Sequence, residues 1–237
     1  MNAWPAPRQV AHDGWVLRFG GGYTGRANSV HPLYDGSLDV RGKIEFCERA
    51  YRRAGIRLLF KMTPAARPAE LDGLLEGLAY RAFNHTSVQT KPLDSGTAGP
   101  DERGVSAYEG VDERWLEPVV RFREIPMHHA EVLRSILGAL NLPARFATLS
   151  EGREVVACGL AVLEDEWVGL FDIVTRADRK RRGHATRLIG HLLAWAGGHG
   201  ASTAYLQVTQ NNTPALQLYE KLGFREAYPY WYRAKQS

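Results

Sequence analysis

From residue 127 onward the apolar period alternates between helical and strand spacing in a fixed order, which restricts the chain to a sheet covered by helices. "MHHAEVLRSILGALNLP" sets Val132, Leu133, Ile136, Leu137 and Leu140 at helical spacing. "VVACGLAVL" and "WVGLFDIV" read as apolar strands joined at the turn Glu164-Asp165-Glu166. "GHATRLIGHLLAWAGG" puts Ala185, Leu188, Ile189, Leu192 and Ala196 on one face, with Gly197-Gly198 as its stop. "TAYLQVT" is a strand, "NTPALQLYEKLG" a short helix that opens near Pro214 and stops at Gly223, and "FREAYPYWYRA" an aromatic strand. The fold class is α/β, an α+β mixed sheet.

The first half repeats the end of that order. Strands "GWVLRF" and "RANSVHPL" precede a helix with Ile44, Cys47, Tyr51 and Ala54 on one face. Strand "IRLLFKM", a helix carrying Leu71, Leu74, Leu75 and Leu78, and strand "TSVQTK" follow. A partial duplication, visible as architecture rather than as shared residues, accounts for this; two unrelated α/β segments would give the same order. Residues 94 to 118 hold Gly, Asp, Glu and Ser without an apolar period and read as a linker, dividing the chain into 1–93 and 119–237.

Composition narrows the function classes. A chain of 237 residues with 44% hydrophobic and 24% charged residues is ordinary for a soluble protein with a sizeable core. "MNAWPAPRQVAHDGW" has no apolar run after a basic segment, and no stretch approaches the roughly 18 apolar residues of a membrane span. Neither a signal peptide nor a membrane partner is expected. Cys47 and Cys158 lie in periodic apolar segments, as buried thiols in a reducing cytoplasm would. No C-x-x-C or H-x-x-x-H pair exists, so no metal is expected.

"FGGGYTGRANSV" spells G-x-G-x-x-G at Gly20, Gly22 and Gly25. A dinucleotide fingerprint needs a helix directly after it, and "RANSVHPLYDG" has no helical period. A glycine-rich hairpin is the better account. Arg18, Arg26 and Asn28 on its strands are then free for structure or for lining a cleft.

The run "RADRKRRGHATR" at 176 to 187 stands at a strand-to-helix junction. The first turn of a helix leaves backbone N–H groups unpaired and its dipole favours anions. Gly183 and Ala185 let a phosphate approach the backbone, and Arg179, Lys180, Arg181 and Arg182 surround it with positive charge. Basic residues here oppose the dipole, so as scaffolding alone the arrangement is unfavourable. A bound anion would resolve the conflict.

"VTRADRKRRGHATRL" resembles the pyrophosphate loop of the GNAT superfamily of acyl-CoA N-acyltransferases, (Gln or Arg)-x-x-Gly-x-(Gly or Ala). The frame gives Lys180, Arg181, Arg182, Gly183, His184 and Ala185, with Lys180 departing from the usual Gln or Arg. "NTPALQLYEKLGF" resembles the superfamily's N-x-x-A-x-x-L-Y-x-x-x-G-F helix at Asn212, Ala215, Leu218, Tyr219, Gly223 and Phe224. The two motifs stand in the expected order with one strand between them, and the resemblance covers about residues 119 to 235.

The resemblance implies an acetyl-CoA-dependent N-acetyltransferase acting directly on a primary amine of a small molecule. Backbone groups of Ile173, Val174 and Thr175 would hold the acetyl-pantetheine arm. The loop from Lys180 to Thr186 would hold the pyrophosphate, with Asn212 beside the cofactor. Tyr219 is either a core aromatic or the acid that protonates the leaving thiolate. Asp172, in the apolar strand "GLFDIV", is either an edge-facing strand residue or a base or substrate anchor. His184 is expected at the surface. The first half would be a degenerate copy that does not bind CoA, because Asp39 caps the helix start where Gly183 lies open in the second.

The alternative from another class is a non-catalytic acyl-CoA-binding sensor using the same cradle. The net charge of +4 does not by itself argue for nucleic acid, and none is expected.

Overall fold

Two long strands that never meet in sequence form the centre of the molecule. In a computed structural model describing residues 1–93 and 102–236, β5 (Tyr80–Pro92) pairs antiparallel with β11 (Arg225–Lys235). Around them run β1 (Arg8–His12), β2 (Trp15–Phe19), β3 (Val30–Pro32), β4 (Phe60–Met62), β6 (Val105–Tyr108), β7 (Ala144–Glu151), β8 (Glu154–Glu164), β9 (Trp167–Thr175) and β10 (Thr203–Thr209). The helices are α1 (Val40–Ala54), α2 (Leu71–Gly77), α3 (Glu113–Phe122), α4 (Met127–Gly138), α5 (His184–Gly198) and α6 (Thr213–Lys221). Among the described residues, no helix is long and apolar enough to cross a membrane.

The strands make one 11-stranded mixed sheet of order β1-β2-β3-β4-β11-β5-β10-β9-β8-β7-β6. Outward from the β11–β5 pair, β4 mirrors β10, β3 mirrors β9, β2 mirrors β8 and β1 mirrors β7. Strand senses match: β3–β4 and β9–β10 are parallel, and the next two pairs on each side are antiparallel. Helices match too, since α1 and α5 each cross between the parallel strands, and α2 and α6 each lead into a central strand. The central strands are exchanged: β5 lies against β10, and β11 against β4.

This sheet corrects several expectations. The described part of 94–118 is not linker: it holds β6, paired with β7, and the start of α3, whose Trp115 and Leu116 are buried; 94–101 lie outside the described residues. Charged residues between the apolar ones, and Pro118 inside the helix, hide the period of α3. β1 and β7 had no clear sequence signal. "RANSVHPL" is a 3-10 turn at Gly25–Ala27 followed by the short β3, and "IRLLFKM" contributes only Phe60–Met62 to the sheet.

The glycine stretch is the expected connection between antiparallel strands. Asn28 holds it: its Oδ1 accepts from Gly20 and Gly22 N–H at 2.8 Å, and its Nδ2 donates to the Tyr23 and Thr24 carbonyls. A Cβ built at Gly21, whose φ is 64°, would lie 3.0 Å from the Val132 methyls of α4, so the first half approaches the second closely here. Asp39 caps α1 as expected, accepting from the Gly42 N–H at 2.9 Å.

The cores follow the layers. α5 and α6 bury Leu188, Ile189, Leu192 and Tyr219 against one face of β7–β10. On the opposite face α3 and α4 bury Trp115, Val119, Leu133 and Ile136. α1 and α2 cover the first half with Ile44, Tyr51, Leu71 and Leu75.

Candidate active site

The β9–β10 ladder runs parallel only from Trp167↔Thr203 to Leu170↔Leu206. Beyond it the strands diverge, and residues 171 to 175 have no partner on the β10 side. Those of their backbone groups that point away from β8 face the gap. A bulge on the other edge of β9 sharpens the divergence: Cys158 pairs with Val174 and Leu160 with Phe171, so Asp172 and Ile173 both stand opposite Gly159. A side chain at Gly159 would strike Ile173 Cδ1, its Cβ lying 2.7 Å away. Trp115 Nε1 donates to the Gly159 carbonyl at 2.9 Å and fixes the bulge from α3. Asp172 itself takes a left-handed φ of 47°, which a short polar side chain tolerates better than most.

After β9 the chain turns through Ala177–Arg179 into α5. Arg181 at φ 63° and Gly183 at φ 81° bend it sharply, and no side chain caps the helix. Nothing lies within 4 Å of a Cβ built at Gly183, so the helix start is open. Lys180, Arg181 and Arg182 are exposed and form no ion pair among the described residues, and α5 has no acidic residue in its first turn. The rest of the basic run is engaged elsewhere: Arg176 binds Glu154 and Asp178, and Arg179 reaches Glu151, Glu154 and Asp178. An anion can meet unpaired N–H groups, a positive dipole end and three free cations here.

Tyr219 stands on α6, which follows β10 as α5 follows β9. It is buried, with its ring edge-on to Phe224 at 6.0 Å, and burial pushes its hydroxyl up to about 12. The cradle, the splay and this tyrosine thus gather at the carboxyl ends of the two parallel strands, the crevice where open α/β sheets bind ligands.

The family model described as "Probable histone acetyltransferase Rv0428c C-terminal" matches residues 1–233. The chain belongs to this family, within the GNAT superfamily. It is 25% identical over 240 residues to the uncharacterized N-acetyltransferase YobR of Bacillus subtilis, covering 99% of this chain and 95% of the relative. It is 29% identical over 231 residues to the probable histone acetyltransferase Rv0428c of Mycobacterium tuberculosis, covering 94% and 67%. A GCN5-related N-acetyltransferase from Kribbella flavida shares the fold over 98% of this chain and 90% of its own, at TM-score 0.69 and 15% identity. The family likeness therefore extends through the first half, beyond the 119–235 that the motifs alone carry.

In this GNAT acetyltransferase the remaining expected residues fall in different places. Ile173, Val174 and Thr175 are half-buried along the gap, and Ala185 and Thr186 are on the first turn of α5. His184 is not at the surface. Its side chain turns inward and its Nε2 lies 3.6 Å from Glu151 Oε1, so only its backbone belongs to the helix start. Asn212 caps α6 by accepting from the Ala215 N–H at 3.3 Å. Asp172 is no edge residue: its side chain is 2% exposed, with Oδ1 on the Arg123 guanidinium and Oδ2 buried without a hydrogen-bond partner.

Arg123 and Tyr23 had no signal in sequence. Arg123 ends α3, and its charge partly offsets the burial that raises the hydroxyls of Tyr219 and Tyr23. Tyr23 comes from the glycine stretch and packs its ring on His129 of α4 at 5.3 Å. Burial and the Asp172 charge raise its hydroxyl above the ordinary tyrosine value. Among the described residues no cluster could hold a metal.

Proposed function

We propose that the protein moves an acetyl group from acetyl-CoA directly to a primary amine of a small molecule. The open, uncapped start of α5 beside the β9–β10 gap is the observation that carries this reading. The helix start would receive the pyrophosphate, and the backbone of residues 173 to 175 along the gap the acyl arm. A backbone N–H on the thioester carbonyl is typically worth about 3 to 4 kcal/mol in the transition state.

The amine nitrogen attacks the thioester carbonyl carbon, the C–S bond breaks, and the thiolate takes a proton from Tyr219. Burial holds that hydroxyl near 12, so it carries its proton at neutral pH. The ammonium proton leaves through Asp172, whose Oδ2 is free to accept it. No acyl-cysteine is needed: Cys47 and Cys158 are buried, and burial pushes each thiol up to about 12. Buried free thiols also fit a cytoplasmic setting.

We assign the cofactor to the second half alone. Asp39 occupies the start of α1, the place that mirrors Gly183, and its carboxylate would repel a pyrophosphate. Calorimetry is expected to find one CoA per chain, lost on altering Gly183 and kept on altering Gly22. Thiol release from acetyl-CoA with a panel of amino acids, polyamines and aminoglycosides tests the activity. CoA binding without amine-dependent thiol release would make the protein a sensor and overturn the reading. Turnover only with a protein lysine would overturn the small-molecule part.

A further inference from the structure

On the face of the sheet opposite α5, where β9 and β10 part, lies a cavity of about 50 Å³. Four basic side chains line it: Arg18, Arg26, His31 and Lys61. Phe171 and Tyr205 form part of the wall, with Gln207 at the fork. Phe171 directly precedes the Asp172 bulge, and Gln207 is the first β10 residue beyond the last paired one. No carboxylate lines the cavity.

The positive charge there has no anionic partner among the described residues. The Arg18 guanidinium, 1% exposed, donates only to the Met1, Trp4 and Arg26 carbonyls, and its Nε is buried without a partner. Arg26 lies over the Trp4 ring at 4.2 Å and the Phe171 ring at 5.3 Å. The Lys61 ammonium sits 4.0 Å over Tyr230. His31 is buried, its Nε2 3.2 Å from Ser29 Oγ. The Tyr230 hydroxyl donates to Gln207 Oε1 at 3.0 Å, which leaves the Gln207 NH2 as a further donor. Burial, with Arg26 and Arg18 beside it, drives Lys61 down to about 7, and burial with Lys61 and Arg18 lowers His31. Converging cations without an anion, Arg18 buried and Arg26 and Lys61 half-buried, are unfavourable for folding. The sequence keeps them at the fork where the acyl carbon would lie.

We propose that this cavity binds the carboxylate of the acceptor, so that the substrate class is amino acids, amines that carry a carboxylate near the nitrogen attacked. The proposal rests on the acetyl-transfer reading for the role of the bound molecule, but not for the presence of the anion site. The volume exceeds the roughly 10–15 Å³ one water needs and suits a small planar anion. Arginine, lysine and amide donors together satisfy both oxygens of a carboxylate.

Two measurements test it separately. Without any donor, sodium acetate is the probe: thermal unfolding is followed against sodium chloride at matched ionic strength. The wild type is expected to gain Tm with acetate concentration, Lys61→Gln to lose the gain, and Lys61→Arg to keep it. No acetate-specific gain in the wild type, or an equal gain in Lys61→Gln, overturns the anion site whatever the activity. With acetyl-CoA, thiol release is compared between amino acids and their carboxamides. The acids are expected to have the higher kcat/KM, and Lys61→Gln to lower it for the acids about 30-fold or more while changing the carboxamides little. Equal rates for acid and carboxamide overturn the acceptor assignment. A wild-type preference for succinyl-CoA that Lys61→Gln abolishes gives the carboxylate to the acyl donor and also overturns it. An acetate effect with no turnover on any amine overturns the acetyl-transfer reading and, with it, the acceptor assignment, while the anion site stands.

Discussion

Arg123 donates to one oxygen of Asp172 and leaves the other buried and free. The two residues come from the end of α3 and the bulge of β9, and they meet where β9 leaves β10. Half of the carboxylate is held in place and the other half is available to a ligand. Asp172→Asn should keep the fold and the arginine contact while removing the acceptor for the ammonium proton. The expected result is a kcat about 10²-fold lower or more with the Kd for CoA unchanged. Steady-state kinetics beside calorimetry checks it, and an unchanged kcat would make Asp172 structural.

Arg123→Gln asks about stability instead. It leaves the buried Asp172 carboxylate without its cation, which is costly, although Arg123 is 41% exposed and water screens part of the loss. Urea unfolding should show a loss of about 1 to 3 kcal/mol.

Gly183→Glu should abolish CoA binding. The left-handed φ of 81° adds a stability cost of about 1 kcal/mol for any L side chain, but no neighbour obstructs it. Gly183→Asn, which tolerates this conformation and adds no charge, is the control. Calorimetry with CoA should find binding absent in the first and weakened in the second. Unchanged affinity in Gly183→Glu would place the pyrophosphate elsewhere.

Tyr219→Phe removes the hydroxyl and leaves the ring against Phe224. kcat should fall about 10²-fold or more, with acetyl-CoA affinity hardly moved. Single-turnover kinetics with a pre-bound donor separates the chemical step from binding.

Lys61 should leave a signature in the pH dependence of stability. Its folded value, about 7, lies below the 10.5 of an ordinary lysine, so between those values the unfolded chain binds more protons than the folded one. Stability from this group therefore rises with pH across that window, and the full penalty applies below it. Lys61→Met should gain most over wild type at pH 6 and clearly less at pH 9.5, read from urea midpoints in chloride buffer. A gain that does not vary with pH would mean that Lys61 is ordinarily solvated.

The second half was largely legible because its signals are local. "TAYLQVT" alternates strictly, and β10 spans those residues; the open helix start at Gly183 and the tyrosine of α6 each lie within one short segment. β5 was harder: only Thr86 to Lys91 read as strand, since Arg81, Asn84 and His85 interrupt the apolar pattern of a strand that is nevertheless central. Arg123, Tyr23 and Lys61 left no trace. Arg123 and Tyr23 reach Asp172 from a helix end and a glycine loop, and Lys61 reaches the neighbouring cavity from a short strand, so their meeting depends on tertiary packing that no local pattern records. His184 misled because the motif describes its backbone, while its side chain answers to the core under α5.

The exchanged strands also tie the folding of the first half to a segment made much later. β4 gains its inner neighbour only when residues 225 to 235 have been made, since its antiparallel partner is β11. The first half therefore emerges from the ribosome with an unpaired edge that nothing in its own sequence closes. Its sheet is finished by a segment translated long after β4, so the cleft and its cationic cavity take shape only once β11 has been made.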